Sequence, residues 1–360
     1  MARLGFGFLR FPMKEGQIDF EELDPMVEAY MAAGGSYFDT SHNYLEGKSE
    51  EAIRRSVVER YPREAFRLAT KLPGYDVKSY DECWRYFRES QARCGVEFFD
   101  VYMLHWLNRE HYAAAEKYRE FDFLKELKEK GLAKKIGFSF HDTPALLDEI
   151  LTAHPEVDTV LIQINYLDWD SPGIQSRLCY ETALRHGKEI IVMEPVKGGT
   201  LAKIHPEAEA VLKQMDPDRS PAYQAVRFVR SLPGVSVVLS GMGSLAQMRE
   251  NLLPMAPMGN AEREIMAKAA DIIRKAVAVP CTGCGYCRKH CPMGLPIPDY
   301  FALYNEAATY PRHTWKTVPQ YQTLPSAAQC LHCQSCEAHC PQKLPISEYM
   351  AAVAEKFEAQ

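Results

Sequence analysis

The chain has 360 residues, 46% hydrophobic and 25% charged, with a formal net charge of -6. This composition is typical of a soluble globular protein, and the acidic balance argues against a nucleic-acid-binding surface. No apolar run approaches the roughly 18 residues of a membrane span, and the first residues show no secretory leader. We therefore expect a cytoplasmic protein with neither a nucleic-acid nor a membrane partner.

Strand-like and helix-like stretches alternate from residue 5 to about residue 253, at the spacing of βα units. The predicted strands are 5–9, 36–39, 66–71, 99–104, 134–138, 159–164, 189–193 and 235–239. The predicted helices are 21–33, 49–60, 79–93, 121–130, 143–153, 173–187, 206–231 in two pieces, and 244–252. This alternation predicts an α/β fold, a (β/α)8 TIM barrel. The alternative, a doubly wound open sheet, should carry a G-x-G-x-x-G turn after its first strand, and Gly5-Phe-Gly7 is too short for one.

Four polar residues stand at or just past the ends of successive predicted strands. They are Asp39 and Tyr44 in FDTSHNY, Lys71 in ATKL and His105 in YMLH. Each alone has a structural explanation, because Asp-Thr-Ser is also a turn sequence and a buried tyrosine or histidine is often only a core group with a partner. Barrel enzymes keep their chemistry at the carboxyl ends of strands, so we expect these four side chains to converge there.

These residue types suit the reduction of a carbonyl, which needs a proton at oxygen as hydride reaches carbon. A tyrosine with a pKa of about 10 is a poor proton donor at neutral pH, and a buried ammonium beside the phenol lowers that pKa. The ammonium in turn needs a carboxylate partner once it leaves water. The constellation therefore predicts an enzyme.

The three motifs, in this order and at this spacing, resemble those of the aldo-keto reductases. The resemblance implies that Tyr44 is the general acid and that Lys71 lowers its pKa. It also implies that Asp39 pairs with the lysine and that His105 orients the carbonyl. A nicotinamide cofactor, NADP or NAD, and a small-molecule carbonyl or alcohol substrate follow from it.

The same resemblance implies a nicotinamide site at the later strand ends. Ser139 and Gln163 match carboxamide contacts, although each is equally explained as a polar group ending a strand. The loop EPVKGGT matches the pyrophosphate loop, and SGMGSLAQMREN matches the adenosine-phosphate cradle. The implied contact residues in and beside these segments are Met193, Pro195, Lys197, Gly198, Gly199, Gly241, Gly243, Gln247 and Asn251.

Three of these positions depart from the family pattern. Met193 stands where members usually carry an aromatic residue that stacks on the nicotinamide. Gly241 and Gln247 stand where many members clamp the 2'-phosphate of NADP with a lysine and an arginine. The choice between NADP and NAD therefore stays open.

The last third of the chain contains an internal duplication. After a predicted linker helix at 254–280, which follows a barrel at 1–253, a domain at 281–360 begins. Cys281-x2-Cys284-x2-Cys287-x3-Cys291-Pro recurs 49 residues later as Cys330-x2-Cys333-x2-Cys336-x3-Cys340-Pro. The downstream LPIPDY likewise recurs as LPISEY.

This spacing is the bacterial ferredoxin pattern, in which the fourth cysteine binds the other cluster. We therefore predict one [4Fe-4S] cluster on Cys281, Cys284, Cys287 and Cys340, and a second on Cys330, Cys333, Cys336 and Cys291. Structural zinc would leave thiolates unused, and disulfides need an oxidising compartment. The long stretch between the two runs favours a second, smaller, mostly α-helical ferredoxin-like domain. The other cysteines, Cys83, Cys94 and Cys179, are predicted to be packing thiols.

Together these patterns predict an NAD(P)-dependent oxidoreductase with a fused electron-transfer module. Nicotinamides move electrons in pairs, whereas a cluster passes one at a time, so either the clusters are structural or a mediator such as a flavin splits the pair. The alternative is a flavin- or ferredoxin-linked electron-transfer protein that docks a redox partner protein and does not use the tetrad for carbonyl reduction.

Overall fold

The protein, seen in a computed structural model, is described over residues 3–171, 174–309 and 314–358. The chain packs into two compact units. The first comprises Met1–Asp170, Gln175–Pro195 and Tyr223–Met258, and the second comprises Ser171–Ile174, Val196–Ala222 and Gly259–Gln360. The second unit thus includes the helix predicted as a linker and a segment from within the predicted barrel sequence.

Eight parallel strands of the first unit form a closed barrel, as predicted. In chain order the barrel strands are β1 (Arg3–Gly7), β4 (Tyr37–Asp39), β5 (Arg67–Leu72), β6 (Phe99–Leu107), β7 (Ala133–Phe140), β8 (Thr159–Gln163), β9 (Glu189–Met193) and β10 (Val235–Ser240). Between β1 and β4, the short strands β2 (Met13–Lys14) and β3 (Gln17–Ile18) form a separate antiparallel hairpin. Around the barrel the strands run β1-β10-β9-β8-β7-β6-β5-β4, and β4 closes onto β1. The eight predicted strands are confirmed, with small shifts at their ends.

Helices of the first unit follow the strands in the βα order. They are α1 (Phe20–Ala32), α2 (Lys48–Ile53, continued by a π-helical turn Arg54–Val58), α3 (Tyr80–Cys94), α4 (Arg109–Lys117), α5 (Glu120–Glu129), α6 (Pro144–Ala153) and α7 (Ser176–Arg185). After α8 (Pro206–Leu212) of the second unit come α9 (Pro221–Arg230) and α10 (Leu245–Asn251). The β2–β3 hairpin and α4 were not predicted. Helix α4 buries only Tyr112 and Ala115, so its apolar periodicity is weak.

The second unit is mostly helical, which confirms the predicted class. Its further helices are α11 (Asn260–Ala276), α12 (Tyr286–Lys289), α13 (Ile297–Thr309), α14 (Thr314–Tyr321) and α15 (Ile346–Glu358). Helices α13 and α15 have 13 residues each and begin at the equivalent positions Ile297 and Ile346 of the duplication. Both residues are buried in one apolar core. Among the described residues, no helix combines the length and apolar character that crossing a bilayer requires.

Candidate active site and cluster cavities

Three of the four candidate catalytic residues lie on barrel strands at positions whose side chains face the barrel interior. Every second side chain of a strand points to the same face. Two positions before each of Asp39, Lys71 and His105 stands a residue of the apolar barrel interior, namely Tyr37, Ala69 and Met103. The strand period therefore carries a carboxylate, an ammonium and an imidazole, all buried, to the carboxyl ends of β4, β5 and β6.

Lys71 and Asp39 form a buried ion pair. The Lys71 Nζ donates to Asp39 Oδ1 at 2.6 Å and to the Thr40 main-chain oxygen at 2.7 Å. Burial raises the pKa of Asp39, and the charge and hydrogen bond of Lys71 oppose that rise. The other carboxylate oxygen, Oδ2, is buried and has no hydrogen-bond partner among the described residues.

Tyr44 joins this pair from the loop after β4. It opens a short turn in which Leu45 and Glu46 are both left-handed, with φ of 51° and 59°. The Lys71 Nζ lies 4.9 Å from the centroid of the Tyr44 ring. The Tyr44 ring also meets the ring of His105 edge-on, with centroids 5.6 Å apart. All four predicted catalytic side chains are therefore neighbours.

The electrostatics of Tyr44 differ from the expectation. Burial raises the pKa of Tyr44 above its usual value, and the carboxylates of Asp39 and Glu194 raise it further, while the charge of Arg10 opposes them. Lys71 is not among the groups that act on the pKa of Tyr44 here, and the expectation that Lys71 lowers this pKa stays a prediction. The Lys71 ammonium is paired with Asp39 and sits against the ring, so its charge is offset where it would act. A raised pKa favours the neutral phenol form of Tyr44.

His105 is also neutral. Burial is the main reason that its pKa falls well below the usual value, and the charges of Lys71, His141 and His111 lower it further. The His105 Nδ1 lies 3.1 Å from the hydroxyl of Ser41, which fixes the plane of the ring. An uncharged imidazole here is able to hydrogen-bond a substrate oxygen.

An aromatic group that the sequence analysis missed lies beside His105. The Tyr75 ring is 6.0 Å from the rings of both His105 and Trp106, and 5.4 Å from that of His111. Tyr75 also accepts a hydrogen bond from the amide of Asn43 in the Tyr44 loop. Tyr75 and Asn43 lie in separate loops, whereas His105 and Trp106 lie on β6 and His111 lies on α4, so only the fold brings these side chains together.

Ser139, Gln163 and Met193 end the adjacent strands β7, β8 and β9, as predicted. Gln163 and Met193 are direct register partners. The Ser139 hydroxyl accepts the main-chain N–H of Trp106 at 2.7 Å, and the Gln163 amide donates to Asp168 at 2.8 Å. Both side chains thus have internal partners, and their role toward a nicotinamide stays a prediction.

The boundary between the two units falls, in sequence, within the predicted pyrophosphate loop. Pro195 is buried and ends a segment of the first unit, whereas Lys197 and Gly198 belong to the second. The Lys197 Nζ donates to the side-chain oxygen of Gln342 at 2.5 Å. This hydrogen bond lies within the second unit, and the sequence analysis did not anticipate it.

The loop after β10 holds the predicted adenosine-phosphate residues close together. The Gly243 N–H donates to the Gln247 side chain at 2.7 Å, and the Asn251 amide donates to the Gln247 main-chain oxygen at 3.1 Å. Arg10 was missed by the sequence analysis. A Cβ atom on Gly241 would lie only 3.3 Å from Arg10 Cβ, and the charge of Arg10 also acts on Tyr44. An exposed cation thus lies beside the candidate cradle, and its charge acts on the candidate acid.

The eight repeated cysteines surround two cavities in the second unit. One cavity is lined by Cys281, Cys284, Cys287 and Cys340. The other is lined by Cys330, Cys333, Cys336 and Cys291. Each cavity takes three cysteines from one run and the fourth from the other. No three His, Cys, Asp or Glu side chains of the described residues converge tightly enough to hold a single metal ion. The three remaining cysteines, Cys83, Cys94 and Cys179, are buried in the first unit.

The two cysteine runs share a backbone conformation as well as a spacing. Residues at equivalent positions have positive φ, in the pairs Gly283 and His332, Gly285 and Gln334, and Gly294 and Lys343. His290 and His339, also equivalent, stack with ring centroids 3.4 Å apart. The duplication therefore extends from sequence to local geometry.

The sequence model of the aldo/keto reductase family matches residues 3–256. The chain belongs to the aldo/keto reductase family. A model of the 4Fe-4S dicluster domain matches residues 254–345, so this aldo/keto reductase is an oxidoreductase chain with a fused iron-sulfur domain.

Curated relatives of this aldo/keto reductase match parts of it. Morphine 6-dehydrogenase of Pseudomonas putida is 30% identical over 39% of this chain and 45% of its own length. A 9,11-endoperoxide prostaglandin H2 reductase of Trypanosoma cruzi is 26% identical over 63% of this chain and 74% of its own. The chain spans less than half the length of the first curated relatives it matches, which are aligned over 42% and 41% of their lengths.

Solved structures share the aldo/keto reductase barrel. A Bacillus halodurans aldo-keto reductase in its holo form superposes with a TM-score of 0.61 at 20% identity, covering 74% of this chain and 91% of its own. A Klebsiella pneumoniae aldo-keto reductase in complex with NADPH superposes with a TM-score of 0.58 at 17% identity, covering 75% and 90%. At these identities the similarity establishes the fold.

Proposed function

We propose that this aldo/keto reductase transfers hydride between NADP or NAD and a small carbonyl or alcohol substrate, and that its second unit carries two [4Fe-4S] clusters. The convergence of the four candidate catalytic side chains at one end of the barrel supports the first part most strongly. The crossed sets of four cysteines around two cavities support the second.

A nicotinamide nucleotide suits the residues of the first unit. The buried Asp39 Oδ2 calls for a donor such as a ribose hydroxyl. Arg10 lies beside Gly241 and its charge acts on Tyr44, so Arg10 would provide positive charge for a dinucleotide phosphate held by the loop after β10. When bound, a reduced nicotinamide supplies the hydride that reaches the carbonyl carbon.

The residues of the chain handle the proton. Because its pKa is raised, Tyr44 keeps its proton at neutral pH and is able to deliver it to the substrate oxygen. The oxygen becomes strongly basic as hydride arrives, so a neutral phenol is a sufficient acid at that moment. Neutral His105 hydrogen-bonds the same oxygen and aligns it with the phenol. Lys71 and Asp39 hold the ring of Tyr44 in place through a fixed, buried ion pair.

The cysteine cavities suit iron-sulfur clusters by their donors. Four thiols line each cavity, as a cubane requires, and the fourth comes from the other run, as in two-cluster ferredoxins. When bound, each cluster passes one electron at a time. A redox partner protein at this unit and the cytoplasmic location remain predictions from the sequence, and nothing in the relatives reported above supports a flavin.

The direct test replaces Tyr44 with phenylalanine in the anaerobically purified protein. We expect Tyr44→Phe to reduce NADPH- or NADH-dependent reduction of simple aldehydes and ketones by at least about a hundredfold, because one general acid is worth that much. Tyr102→Phe is the matched control. It removes a buried phenol from the outward face of β6, and that phenol has no hydrogen-bond partner among the described residues. Tyr102→Phe should keep its activity.

Two results would contradict the proposal. Unchanged turnover in Tyr44→Phe would favour the electron-transfer protein in which the tetrad is not used. Stoichiometric zinc, in place of about eight iron and eight sulfide per chain, would remove the two clusters.

A further inference from the structure

Ser41 is a fully buried serine whose hydroxyl meets two polar side chains. The hydroxyl oxygen lies 2.8 Å from Asn43 Oδ1 and 3.1 Å from His105 Nδ1. A hydroxyl has one proton and two lone pairs, so Ser41 donates only one of these two hydrogen bonds. In the other hydrogen bond, Ser41 must be the acceptor.

The amide of Asn43 decides which hydrogen bond Ser41 donates. Its oxygen Oδ1 faces Ser41, and its nitrogen Nδ2 donates to the hydroxyl of Tyr75. An amide oxygen only accepts hydrogen bonds, so the proton of Ser41 points to Asn43. Ser41 therefore accepts from His105 Nδ1. These three hydrogen bonds form a relay that runs from His105 through Ser41 and Asn43 to Tyr75.

The ring of His105 carries a single proton. Burial lowers the pKa of His105 well below its usual value, and the charges of Lys71, His141 and His111 also disfavour a second proton. Because the relay holds the one proton on Nδ1, the other ring nitrogen, Nε2, keeps its lone pair. Nε2 has no hydrogen-bond partner among the described residues. It is therefore a hydrogen-bond acceptor and not a donor.

This acceptor belongs to a ring beside the candidate acid. The ring centroids of His105 and Tyr44 are 5.6 Å apart, and that of Tyr75, at the end of the relay, is 6.0 Å from His105. A substrate oxygen that receives the proton of Tyr44 would lie next to the same imidazole. A carbonyl oxygen only accepts hydrogen bonds, whereas an alcohol oxygen also donates one. Only the alcohol has a proton for Nε2.

We propose that Ser41 and Asn43 are positioning residues that hold the proton of His105 on Nδ1, so that Nε2 accepts a hydrogen bond from the hydroxyl of an alcohol substrate. This inference rests on the carbonyl–alcohol part of the proposed function, and it names the form of the substrate that His105 recognises. In carbonyl reduction the contact forms with the product hydroxyl. The alcohol is therefore bound more tightly than the matched carbonyl compound.

The test is nitrogen-15 NMR of the full-length, anaerobically purified protein with labelled histidine. A protonated ring nitrogen resonates far upfield of an unprotonated one, and Nε2 is recognised because it couples strongly to both carbon-bound ring protons. The signals that disappear in His105→Phe identify this histidine. Near neutral pH, we expect the wild-type protein to show a protonated Nδ1 and an unprotonated Nε2 at His105.

Four variants test the relay. Ser41→Ala removes the acceptor of the Nδ1 proton, and Asn43→Leu lets the Ser41 hydroxyl donate to Nδ1 instead. Both should move the proton of His105 to Nε2. Asn43→Asp keeps an acceptor oxygen for Ser41 and should leave the proton on Nδ1. Ser90→Ala removes a fully buried hydroxyl of α3 and should also leave it there.

The substrate preference is measured with cyclohexanol and cyclohexanone as matched probes. Ser41→Ala should raise the KM for cyclohexanol by about tenfold, because the alcohol loses one hydrogen bond to Nε2. The KM for cyclohexanone should fall, since a protonated Nε2 is able to donate to the carbonyl oxygen. A purely structural role for Ser41 would instead lower kcat for both probes without moving the proton of His105.

The outcomes separate the inference from the function on which it rests. A protonated Nε2 in the wild-type protein would overturn the inference, because the relay would then run from Tyr75 towards His105. An unprotonated Nε2 that persists in both Ser41→Ala and Asn43→Leu would also overturn it, since the relay would not set the position of the proton. Neither result touches hydride transfer. If the NMR result is as expected but no alcohol or carbonyl compound is turned over with either nucleotide, the proposed function falls, and with it the recognition of an alcohol.

Discussion

The candidate catalytic site and the cluster cavities are held by different kinds of backbone. Asp39, Lys71 and His105 stand on barrel strands, where the period of two residues fixes the direction of each side chain. The cysteines stand mainly in loops, where left-handed residues such as Gly283 and His332 turn the chain. The first geometry is set by a closed hydrogen-bonded sheet, whereas the second depends on local turns and on what the cysteines bind.

The two sites also differ in what sets their chemical state. Lys71 is fully buried and Asp39 is 3% exposed, so burial and the ion pair set the pKa of Asp39 before any ligand arrives. Cys333 by contrast is exposed, and only Cys287 and Cys336 of the eight repeated cysteines are classed as buried. Substitutions at the barrel site should therefore change reaction rates and their pH dependence. Substitutions in the second unit should change the metal content and the reduction potentials.

The largest expected effect comes from removing cysteines in pairs. In the crossed assignment, Cys340→Ala removes one cluster, so iron should fall from about eight to about four per chain. Adding Cys281→Ala should cost no further iron, because both residues line the same cavity. Adding Cys330→Ala instead should bring iron close to zero, because that residue lines the other cavity. Iron and acid-labile sulfide analysis gives the numbers.

The same variants also test whether the cysteines are exchanged between the two runs and whether the barrel folds independently of the clusters. If cysteines were not exchanged between the runs, the two double variants would swap their iron contents. Far-ultraviolet circular dichroism and nucleotide binding should stay near wild type in Cys340→Ala, since the barrel forms its own core. A collapse of both signals would mean that the barrel depends on the clusters for its fold.

Much of this arrangement could be predicted because two strong periodicities carry it. The strand period and spacing placed Asp39, Lys71 and His105, and the ferredoxin spacing of the cysteines assigned Cys340 to the cluster of Cys281. Both patterns can be read from the sequence without knowing the conformations of the loops. The weakly patterned α4, with its polar surface, was missed for the same reason.

The remaining features depend on loop conformation, which no local pattern encodes. Arg10 lies next to Gly241 across the closure of the barrel, although about 230 residues separate them in sequence. The charge of Glu194 acts on Tyr44, although the two residues are far apart in the sequence. Lys197 begins a run of three left-handed residues in the predicted nucleotide loop, and its side chain hydrogen-bonds Gln342 within the second unit.

A smaller effect is expected in the pH dependence of carbonyl reduction. Tyr44 must be protonated to act, and its raised pKa keeps it so beyond its ordinary value of about 10. His105 must be neutral, and its lowered pKa keeps it so to well below about 6.5. The kcat for reduction should therefore stay level from about pH 6.5 to about pH 10, measured at saturating nucleotide.

The contrary outcome is equally specific. If Lys71 governed Tyr44, as the sequence suggested, the phenol would lose its proton at lower pH and kcat for reduction would fall between about pH 7 and 9. The Tyr44→Phe variant provides the baseline, because its residual rate contains no contribution from the phenol. A decline present in both proteins would arise elsewhere.

The smallest expected effect separates the two cysteine runs from each other. Gly283 and His332 occupy equivalent left-handed positions, and a Cβ on Gly283 would meet no atom within 4 Å, so only the backbone resists a side chain there. Gly283→Ala should therefore destabilise the loop by about 1 kcal/mol. His332→Gly should stabilise its loop by less than that, because relief of the left-handed conformation is partly offset by the greater freedom of glycine in the unfolded chain. Thermal loss of cluster absorbance under anaerobic conditions should thus move down by a few degrees for Gly283→Ala and up only slightly for His332→Gly. Equal and opposite shifts would instead mean that the freedom of glycine in the unfolded chain does not offset the relief of the left-handed conformation at His332.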